Sequence, residues 1–121
     1  MFKDLYTINP DKKDFIHGGK RVSRNKDYNK QNKPKLSIIT VVLNGEKYLE
    51  ETIQSILNQS FKDYEYIIID GGSSDRTLEI IKKFDKEIDY WVSEKDKGIY
   101  DAFNKGMELS RGEYIGIVNS D

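Results

Sequence analysis

The sequence predicts an α/β fold in which a mostly parallel sheet is covered by helices on both faces. Two observations support this prediction. Apolar, β-branched runs of strand length recur along the chain, and the segments between them place apolar residues at helical spacing. Because strands that alternate with helices are joined by crossover connections, this pattern favours parallel pairing with right-handed crossovers. The prediction covers residues 36–121.

The elements follow one another in a regular order. The predicted strands are residues 36–42, 64–70, 88–92 and 113–118, each rich in Ile, Val or Tyr. The predicted helices carry apolar stripes over residues 48–57, over residues 78–84 after the N-cap candidates Ser73, Ser74 and Asp75, and over residues 98–110. In the last helix, Tyr100, Phe103, Met107 and Leu109 are expected to face the core.

Residues 1–35 differ from the rest of the chain in charge and in pattern. They hold ten Lys and Arg against four Asp, whereas residues 36–121 hold ten against seventeen Asp and Glu, so the net charge of −1 conceals a basic and an acidic part. Because they show no helical or strand period, we expect a basic, poorly ordered lead-in. The alternative is a basic arm that touches anionic lipid or a partner. His17, within this segment, is assigned no role.

Composition narrows the range of functions. The chain has no Cys and one His, which argues against a zinc site and a Cys–His nucleophile. No stretch reaches the roughly 18 apolar residues of a membrane span, and the first ten residues lack the apolar core of a secretory signal. The expected location is therefore the cytoplasm. A glycine-rich dinucleotide fingerprint, a P-loop and a basic–aromatic stripe for nucleic acid are all missing.

Polar residues follow the predicted strands at the positions where open parallel sheets bind ligands, beyond the carboxyl ends. Asp70 ends a strand just before two glycines. Its carboxylate could accept hydrogen bonds from a base or a ribose, or order the turn into the next helix. Asp121 directly follows Asn119-Ser120. It could hold Mg²⁺ or Mn²⁺ together with the oxygens of a substrate diphosphate, or be an ordinary turn residue.

Charged residues also surround the start of the last predicted helix. Lys97 could offer positive charge to a phosphate at this helix start, and a solvated loop is the alternative interpretation. Asp101 and Lys105 stand four residues apart on the helix, so a surface ion pair accounts for them.

Taken in order, these segments resemble family 2 glycosyltransferases of the GT-A fold, whose nucleotide-binding half is Rossmann-like. The resemblance covers residues 36–121. It is carried by residues 36–44 (LSIITVVLN), 55–61 (SILNQSF), 65–77 (EYIIIDGGSSDRT), 94–106 (EKDKGIYDAFNKG), 112–115 (GEYI) and 119–121 (NSD).

The resemblance implies transfer of a sugar from a nucleotide-diphosphate sugar to a glycan or lipid-linked acceptor in cell-surface polysaccharide synthesis. It implies Mg²⁺ or Mn²⁺ as cofactor, bound by Asp121, the last position of a DxD motif whose first Asp is replaced here by Asn119. The matching nucleotide-sugar-binding positions are Thr40, Val41, Val42, Asn44, Asp70, Gly71, Asp96, Lys97, Asn119 and Ser120, with Asp101 as a further candidate. In similar enzymes, the residue that matches Asp70 contacts the base.

Similar enzymes continue past the DxD motif into the acceptor site and the general base. The general base is therefore expected beyond Asp121, and the chain is interpreted as the donor-binding half, which alone should bind donor weakly and transfer little. The alternative is a truncated or degenerate relative that binds nucleotide or another protein without transferring sugar. Self-association through an uncovered sheet edge, and contact with the inner face of the membrane, are further hypotheses. A phospho-receiver domain needs acidic residues after the first strand, and residues 42–44 offer none.

Overall fold

A computed structural model describes residues 16–24 and 33–120. In chain order, the elements are β1 (Ile16–Gly18), α1 (Lys20–Ser23), β2 (Leu36–Val42), α2 (Leu49–Leu57), β3 (Tyr64–Asp70), α3 (Thr77–Lys83), β4 (Tyr90–Ser93), α4 (Ile99–Leu109) and β5 (Tyr114–Ile117). The four strands and three helices predicted from residue 36 onward are all present. The third of these strands begins two residues later than predicted, because Ile88 and Asp89 belong to the connection between the turn at residues 84–87 and the strand.

The strands form one sheet in the order β1-β4-β3-β2-β5. Strands β4, β3, β2 and β5 run parallel to one another, and β1 pairs antiparallel with β4 at the edge. The two central strands pair over their full length, from Leu36 opposite Tyr64 to Val42 opposite Asp70. The prediction of a mostly parallel sheet is confirmed, and the carboxyl ends of β2, β3, β4 and β5 share one edge of it.

The core has one layer on each face of the sheet. Successive side chains of a strand point to opposite faces, so Ile38 and Ile39 enter different layers. The buried residues of the layer covered by α2 and α3 are Ile38, Val42, Leu49, Ile53, Ile56, Tyr66, Ile68, Ile81, Ile88 and Trp91. The buried residues of the layer covered by α4 are Ile39, Val41, Ile67, Ile69, Tyr90, Val92, Ala102 and Leu109. Burial on both faces explains why β2 and β3 are continuous apolar runs.

Helix α4 is present as predicted, but its inward face differs from the expected one. Tyr100 is 81% exposed and Met107 is 45% exposed, whereas Phe103 is partly buried. The buried residues of the helix are Ala102, Lys105, Gly106 and Leu109. The reason is a close approach to the sheet, since a Cβ on Gly106 would lie only 2.7 Å from Cγ2 of Ile39. Small side chains therefore face the sheet, and the expectation that Tyr100 and Met107 belong to the core is wrong.

Two elements lie inside the lead-in, where the sequence shows no period. The amides of Lys20 and Arg21 donate to the carbonyls of Ile88 and Asp89, each at 2.9 Å. Arg21 is buried, and its Nη2 lies 2.6 Å from Oε1 of Glu65. For residues 16–24 the structure thus differs from the expected lead-in, because long-range contacts hold a segment that has no apolar pattern of its own. Residues 1–15 and 25–32 lie outside the described part of the chain.

None of the helices in residues 16–24 and 33–120 has both the length and the apolar composition that a membrane crossing requires.

Candidate functional site

An open cleft of about 550 Å³ lies at the carboxyl ends of the parallel strands. Three segments form its walls: the end of β2 with the loop into α2, the loop before α4 with the first turn of that helix, and the residues after β5. The lining residues are Val41, Val42, Leu43, Asn44, Gly45, Lys47, Tyr48, Asp96, Gly98, Ile99, Ala102, Asn119 and Ser120. This position is the one expected for a ligand site in an open α/β sheet.

The first wall is fixed by hydrogen bonds between the loops that follow β2 and β3. Asn44 has a left-handed backbone conformation, with a φ of 51°, which Asn adopts more readily than most residues. Its amide donates to Oγ of Ser73 at 2.7 Å, and its Oδ1 accepts from the amide of Ser74 at 2.8 Å. The amide of Gly45 donates to Oγ1 of Thr77 at 2.9 Å. The wall is therefore ordered by the neighbouring loop before any ligand arrives.

Asp75 completes this connection between the two loops. Its Oδ2 accepts from the amide of Glu46 at 3.2 Å, and its Oδ1 accepts from both the amide and the hydroxyl of Thr77. Slight desolvation acts to raise the pKa of Asp75, but the hydrogen bonds from Thr77 and Glu46 outweigh it and hold this pKa below its ordinary value. The carboxylate is thus charged at neutral pH, and its hydrogen bonds hold the two loops of this wall together.

Asp70 is completely buried and is not among the lining residues. Its Oδ1 accepts from the hydroxyl of Ser73, and its Oδ2 accepts from the amide of Ser73 at 3.2 Å and from the hydroxyl of Ser93 at 2.6 Å. These bonds order the turn after β3 and tie it to the end of β4. The geometry therefore matches the second interpretation of Asp70, a carboxylate that orders a turn.

Thr40 is also buried and lies below the cleft. Its Oγ1 is 2.8 Å from the hydroxyl of Tyr66. Burial raises the pKa of Tyr66, so this hydroxyl stays protonated and able to donate. Thr40 therefore contributes a hydrogen bond to the core, in the layer opposite to Val41.

The glycines after β3 make room for the loop that follows β4. A Cβ on Gly71 would lie 2.8 Å from Oδ2 of Asp96. Gly72 has a φ of 90°, and a Cβ there would lie 3.0 Å from Cα of Lys95. The sequence predicts that these glycines let a ligand approach the backbone. In the structure, the group that approaches Gly71 is the carboxylate of Asp96, and this contact places Asp96 in the cleft.

Backbone contacts shape the entry into α4. Oδ1 of Asp96 accepts from the amide of Gly98 at 3.1 Å, and Oδ2 of Asp101 accepts from the amide of Lys97 at 3.0 Å. Gly98, with a φ of 119°, allows the turn into the helix. The side chain of Lys97 is exposed and does not line the cleft.

A buried lysine contacts both ends of the segment from Glu94 to Asp101. Nζ of Lys105 lies 3.1 Å from Oε1 of Glu94 and 3.5 Å from Oδ2 of Asp101. The predicted pair between Asp101 and Lys105 is therefore present. It is not a surface pair, however, because the side chain of Lys105 is only 9% exposed and bridges two carboxylates.

Six of the ten predicted nucleotide-sugar residues line the cleft, namely Val41, Val42, Asn44, Asp96, Asn119 and Ser120. The four that do not line it are Thr40, Asp70, Gly71 and Lys97. They lie directly beneath or beside its walls. Asp121, the predicted metal ligand, lies outside the described residues.

Several lining residues lie outside the positions predicted from the sequence. Lys47 belongs to no predicted element, and Tyr48 belongs to the predicted apolar stripe of α2 although it is 45% exposed. Both follow the Asn44-Gly45 break that ends β2, and a position just beyond a strand's carboxyl end could have identified them. Ala102 was missed because the inward face of α4 was misassigned.

Oxygen ligands for a divalent cation are present in the cleft but sparse. Asp96 is the carboxylate among the described lining residues, and Asn119 and Ser120 add an amide and a hydroxyl oxygen. Across residues 16–24 and 33–120, no three His, Cys, Asp or Glu side chains gather into a metal-binding group. Because Mg²⁺ keeps several waters and binds substrate phosphates, this donor set fits a cation that binds together with a diphosphate.

A mostly parallel sheet with helices on both faces, and a cleft beyond the carboxyl ends of its strands, define a Rossmann-like ligand-binding protein. Residues 37–121 match the family model described as glycosyl transferase family 2, and the chain belongs to this family. The resemblance drawn from the sequence is confirmed. The fold is that of the GT-A glycosyltransferases, as similarity to solved structures also indicates.

Relatives support this assignment over part of their length. An uncharacterized glycosyltransferase of Haemophilus influenzae is 41% identical over 93 residues, which are 74% of this chain and 37% of that protein. TuaG of Bacillus subtilis, a glycosyltransferase assigned to teichuronic acid biosynthesis, is 37% identical over 92 residues, which are 74% of this chain and 36% of that protein. The crystal structure of S. aureus TarS 1-349 in complex with UDP-GlcNAc has a TM-score of 0.64 and 28% identity, covering 72% of this chain and 26% of that one. The chain thus spans little more than a third of the length of these curated relatives.

Proposed function

We propose that this chain is the donor-binding half of a family 2 glycosyltransferase that takes part in cell-surface polysaccharide synthesis. The observation that carries the proposal is the cleft, because residues of three separate family segments line it: the segment 36–44, the segment 94–106, and Asn119 with Ser120. The UDP-GlcNAc bound by TarS and the teichuronic acid role of TuaG support a nucleotide-diphosphate sugar as the ligand.

The cleft offers different chemistry on its different walls. Val41 and Ala102, which belong to the layer covered by α4, offer apolar lining against which the face of a base or a ribose can pack. Asn119 and Ser120 bring polar atoms for the diphosphate or the sugar. Asp96, held against Gly71, provides a charged acceptor for sugar hydroxyls or a cation. Contact between Asp70 and the base requires the hydroxyl of Ser73 to rotate away first, so we propose that Asp70 acts mainly by ordering the loop.

Mg²⁺ or Mn²⁺ is the proposed cofactor, with Asp121 as its main protein ligand and the substrate diphosphate as the source of further oxygens. When bound, such a cation stabilises the negative charge that develops on a departing nucleotide diphosphate. Asp96 and Asn119 are the described residues that could complete its surroundings from the protein side.

Transfer also needs an acceptor site and a general base, which we place outside residues 36–121. A glycan or a lipid-linked sugar is the proposed acceptor, and a lipid-linked one would be met at the inner face of the membrane, on the cytoplasmic side. The chain by itself should therefore bind donor weakly and transfer little sugar.

A second candidate function, a non-catalytic interaction module, is favoured by the surface of β5. This strand pairs only with β2 among the described strands, and its side chains are unusually exposed for an apolar segment, at 58% for Tyr114, 45% for Ile115 and 49% for Ile117. An open apolar edge can pair with another chain, including a second copy. Gel filtration with light scattering over a tenfold concentration range tests self-association, and a monomer throughout would contradict it.

Calorimetric titration of the 121-residue chain tests the proposed function. UDP is titrated with and without Mn²⁺, and GDP and dTDP serve as comparison ligands. We expect Mn²⁺-dependent binding of one of these nucleotides. Asp121→Asn should remove the metal dependence, Asp96→Asn should weaken binding about tenfold, and the exposed control Glu51→Gln on α2 should leave binding unchanged. If none of the three nucleotides binds, the donor-binding role is wrong and the interaction module is favoured.

A further inference from the structure

We infer that Lys47 is the cationic contact for the donor's diphosphate, an inference that rests on the proposed function. Lys47 lies in the loop between β2 and α2, is exposed, and lines the cleft. Neither its spacing nor the family segments quoted above single it out. The assignment comes from the charge and the geometry of the cleft.

Charge balance gives the first argument. Among the described lining residues, the charged side chains are Lys47 and Asp96, one positive and one negative. A nucleoside diphosphate brings at least two further negative charges. Before a cation is bound, these would without Lys47 face only the carboxylate of Asp96, and like charges at close range repel each other. An ammonium group in the same cleft offsets this repulsion and can donate to phosphate oxygens.

Position gives the second argument. A Cβ built on Gly45 would lie 3.3 Å from Oγ of Ser120, so the loop that carries Lys47 packs directly beside the segment after β5. That segment is the one to which we assign the diphosphate and its cation. Lys47, two residues beyond Gly45, therefore belongs to the wall of the cleft that adjoins this segment.

The surroundings of Lys47 leave its charge available. Its Nζ lies over the ring of Tyr48, 5.3 Å from the ring centroid, and no carboxylate of the described residues lies within ion-pair distance. A cation over an aromatic face is held in place while its charge stays unneutralised. By contrast, Lys83 is paired with Glu50 at 2.9 Å.

Lys97, the lysine predicted from the sequence for this role, is placed less favourably. Its side chain is exposed and is not among the lining residues of the cleft, and its contribution to the loop is a backbone amide that donates to Asp101. We therefore assign the phosphate-binding role to Lys47 and a structural role in the α4 entry to Lys97.

The test compares ligands that differ only in phosphate. Uridine, UMP and UDP are titrated into the wild-type chain and into Lys47→Gln, Lys47→Arg and the matched control Lys82→Gln, an exposed lysine on α3 outside the cleft. We expect Lys47→Gln to weaken UDP binding about tenfold, as loss of one charge-assisted contact does, and to leave uridine unchanged. Lys47→Arg should restore most of the affinity, and Lys82→Gln should bind like the wild type.

The possible outcomes separate the two proposals. If the wild type binds UDP and Lys47→Gln binds it equally well, Lys47 is a solvated surface lysine and the inference is wrong, while the proposed function stands. Equal weakening by Lys47→Gln and Lys82→Gln would indicate a general effect of net charge and would also overturn it. If the wild type binds GDP or dTDP in place of UDP, the same comparison is made with the nucleoside, monophosphate and diphosphate of that base. If it binds none of UDP, GDP and dTDP with Mn²⁺ present, the proposed function fails and the inference fails with it.

Discussion

The two ends of the sheet use carboxylates in opposite ways. At the amino end of the parallel strands, Glu65 is 1% exposed and surrounded by donors of the chain itself. At the carboxyl end, Asp96 is half-buried and faces the cleft. Both are charged groups beside a parallel sheet, so the type of residue alone does not tell a structural carboxylate from a candidate ligand contact. The two kinds of carboxylate are told apart by the number of hydrogen-bond donors that the protein itself supplies.

Glu65 has its acceptor positions filled. Its Oε1 accepts from Nη2 of Arg21 at 2.6 Å, and its Oε2 accepts from the hydroxyl of Ser37 at 2.5 Å and from the amide of Arg111 at 2.6 Å. This network joins β3 to the lead-in, to β2 and to the turn before β5. A carboxylate saturated in this way fixes the chain and leaves little for a ligand to bind.

At the carboxyl end of the sheet, the protein itself supplies hydrogen-bond partners for only part of the polar side-chain atoms. Oδ1 of Asp96 accepts from one backbone amide, and within the described residues the side chains of Asn119 and Ser120 make no hydrogen bond to another side chain. The cleft is therefore ordered by its backbone and by Asp70 and Asp75, while the groups that face the open space keep their hydrogen-bonding capacity. Rigid loops with unsatisfied polar side chains are suited to binding a ligand.

Glu65→Gln should have the largest effect, because it removes the charge that balances Arg21 in a buried position. Breaking a buried ion pair from one side costs about 3–5 kcal/mol, and we expect a loss near the lower end of this range in the free energy of unfolding. Urea unfolding followed by circular dichroism measures it. Nucleotide affinity of the folded fraction should not change, because Glu65 lies at the other end of the sheet.

The matched control is Glu79→Gln, which breaks the pair with Arg76. The side chains of that pair are 75% and 68% exposed, so solvent screens their attraction and the loss of stability should be small compared with that of Glu65→Gln. Similar losses for the two variants would show that Glu65 is no more important to the fold than a surface carboxylate, and would remove the contrast between the two ends of the sheet.

Gly71→Ala should act mainly on the cleft. The added Cβ would lie 2.8 Å from Oδ2 and 3.2 Å from Cγ of Asp96, so this carboxylate must move. We expect stability to fall by about 1 kcal/mol, as for moderate overpacking, and UDP affinity to fall severalfold. Gly116→Ala is the control, since its nearest contact is Cδ1 of Leu36 at 3.7 Å. If Gly71→Ala binds UDP like the wild type, the position of Asp96 is not important for binding.

The sequence predicted what depends on local pattern. The apolar runs of β2 and β3 predicted the strands, and the polar residues that follow these runs predicted the location of the cleft. It did not separate Thr40 from Val41, because a strand buried on both faces carries no signal of which side chains belong to which face. It misassigned the inner face of α4, because Gly106 and Ala102 pack closely against the sheet without adding to an apolar pattern.

The lead-in illustrates the other limit of sequence analysis. Strand β1 has three residues, and helix α1 depends on Arg21, whose partner Glu65 is 44 positions away in the chain. Such contacts leave no period in the sequence. The strands and helices from residue 36 onward could be predicted because each carries an apolar pattern of its own. Strand β1 has no such pattern and is held by contacts with residues that are distant in the sequence.

The smallest expected effect concerns the edge strand β1 and depends on pH. His17 pairs with Val92 in the sheet, and its Nδ1 lies 2.6 Å from the hydroxyl of Tyr90. Partial burial lowers the pKa of His17 below its ordinary value of 6.5. The folded state therefore favours the neutral imidazole. The contribution of His17 to stability is complete above pH 6.5 and declines as the pH falls below this value toward the lowered pKa.

Trp91, the single tryptophan, can report this change, because it lies opposite Gly18 of β1 and its Nε1 donates to Oδ1 of Asp85 at 2.7 Å. Between pH 8 and 5.5 we expect a modest decrease in the urea midpoint and a shift of the Trp91 fluorescence, both smaller than the changes caused by Gly71→Ala. His17→Gln, which does not titrate, should flatten both profiles. Since carboxylates titrate mostly below this range, an unchanged pH dependence in His17→Gln would assign the effect to another group and leave β1 insensitive to pH. A flattened profile would mean that a group on the antiparallel edge sets the pH dependence of stability in this range, so that the edge and the parallel core differ in their response to pH.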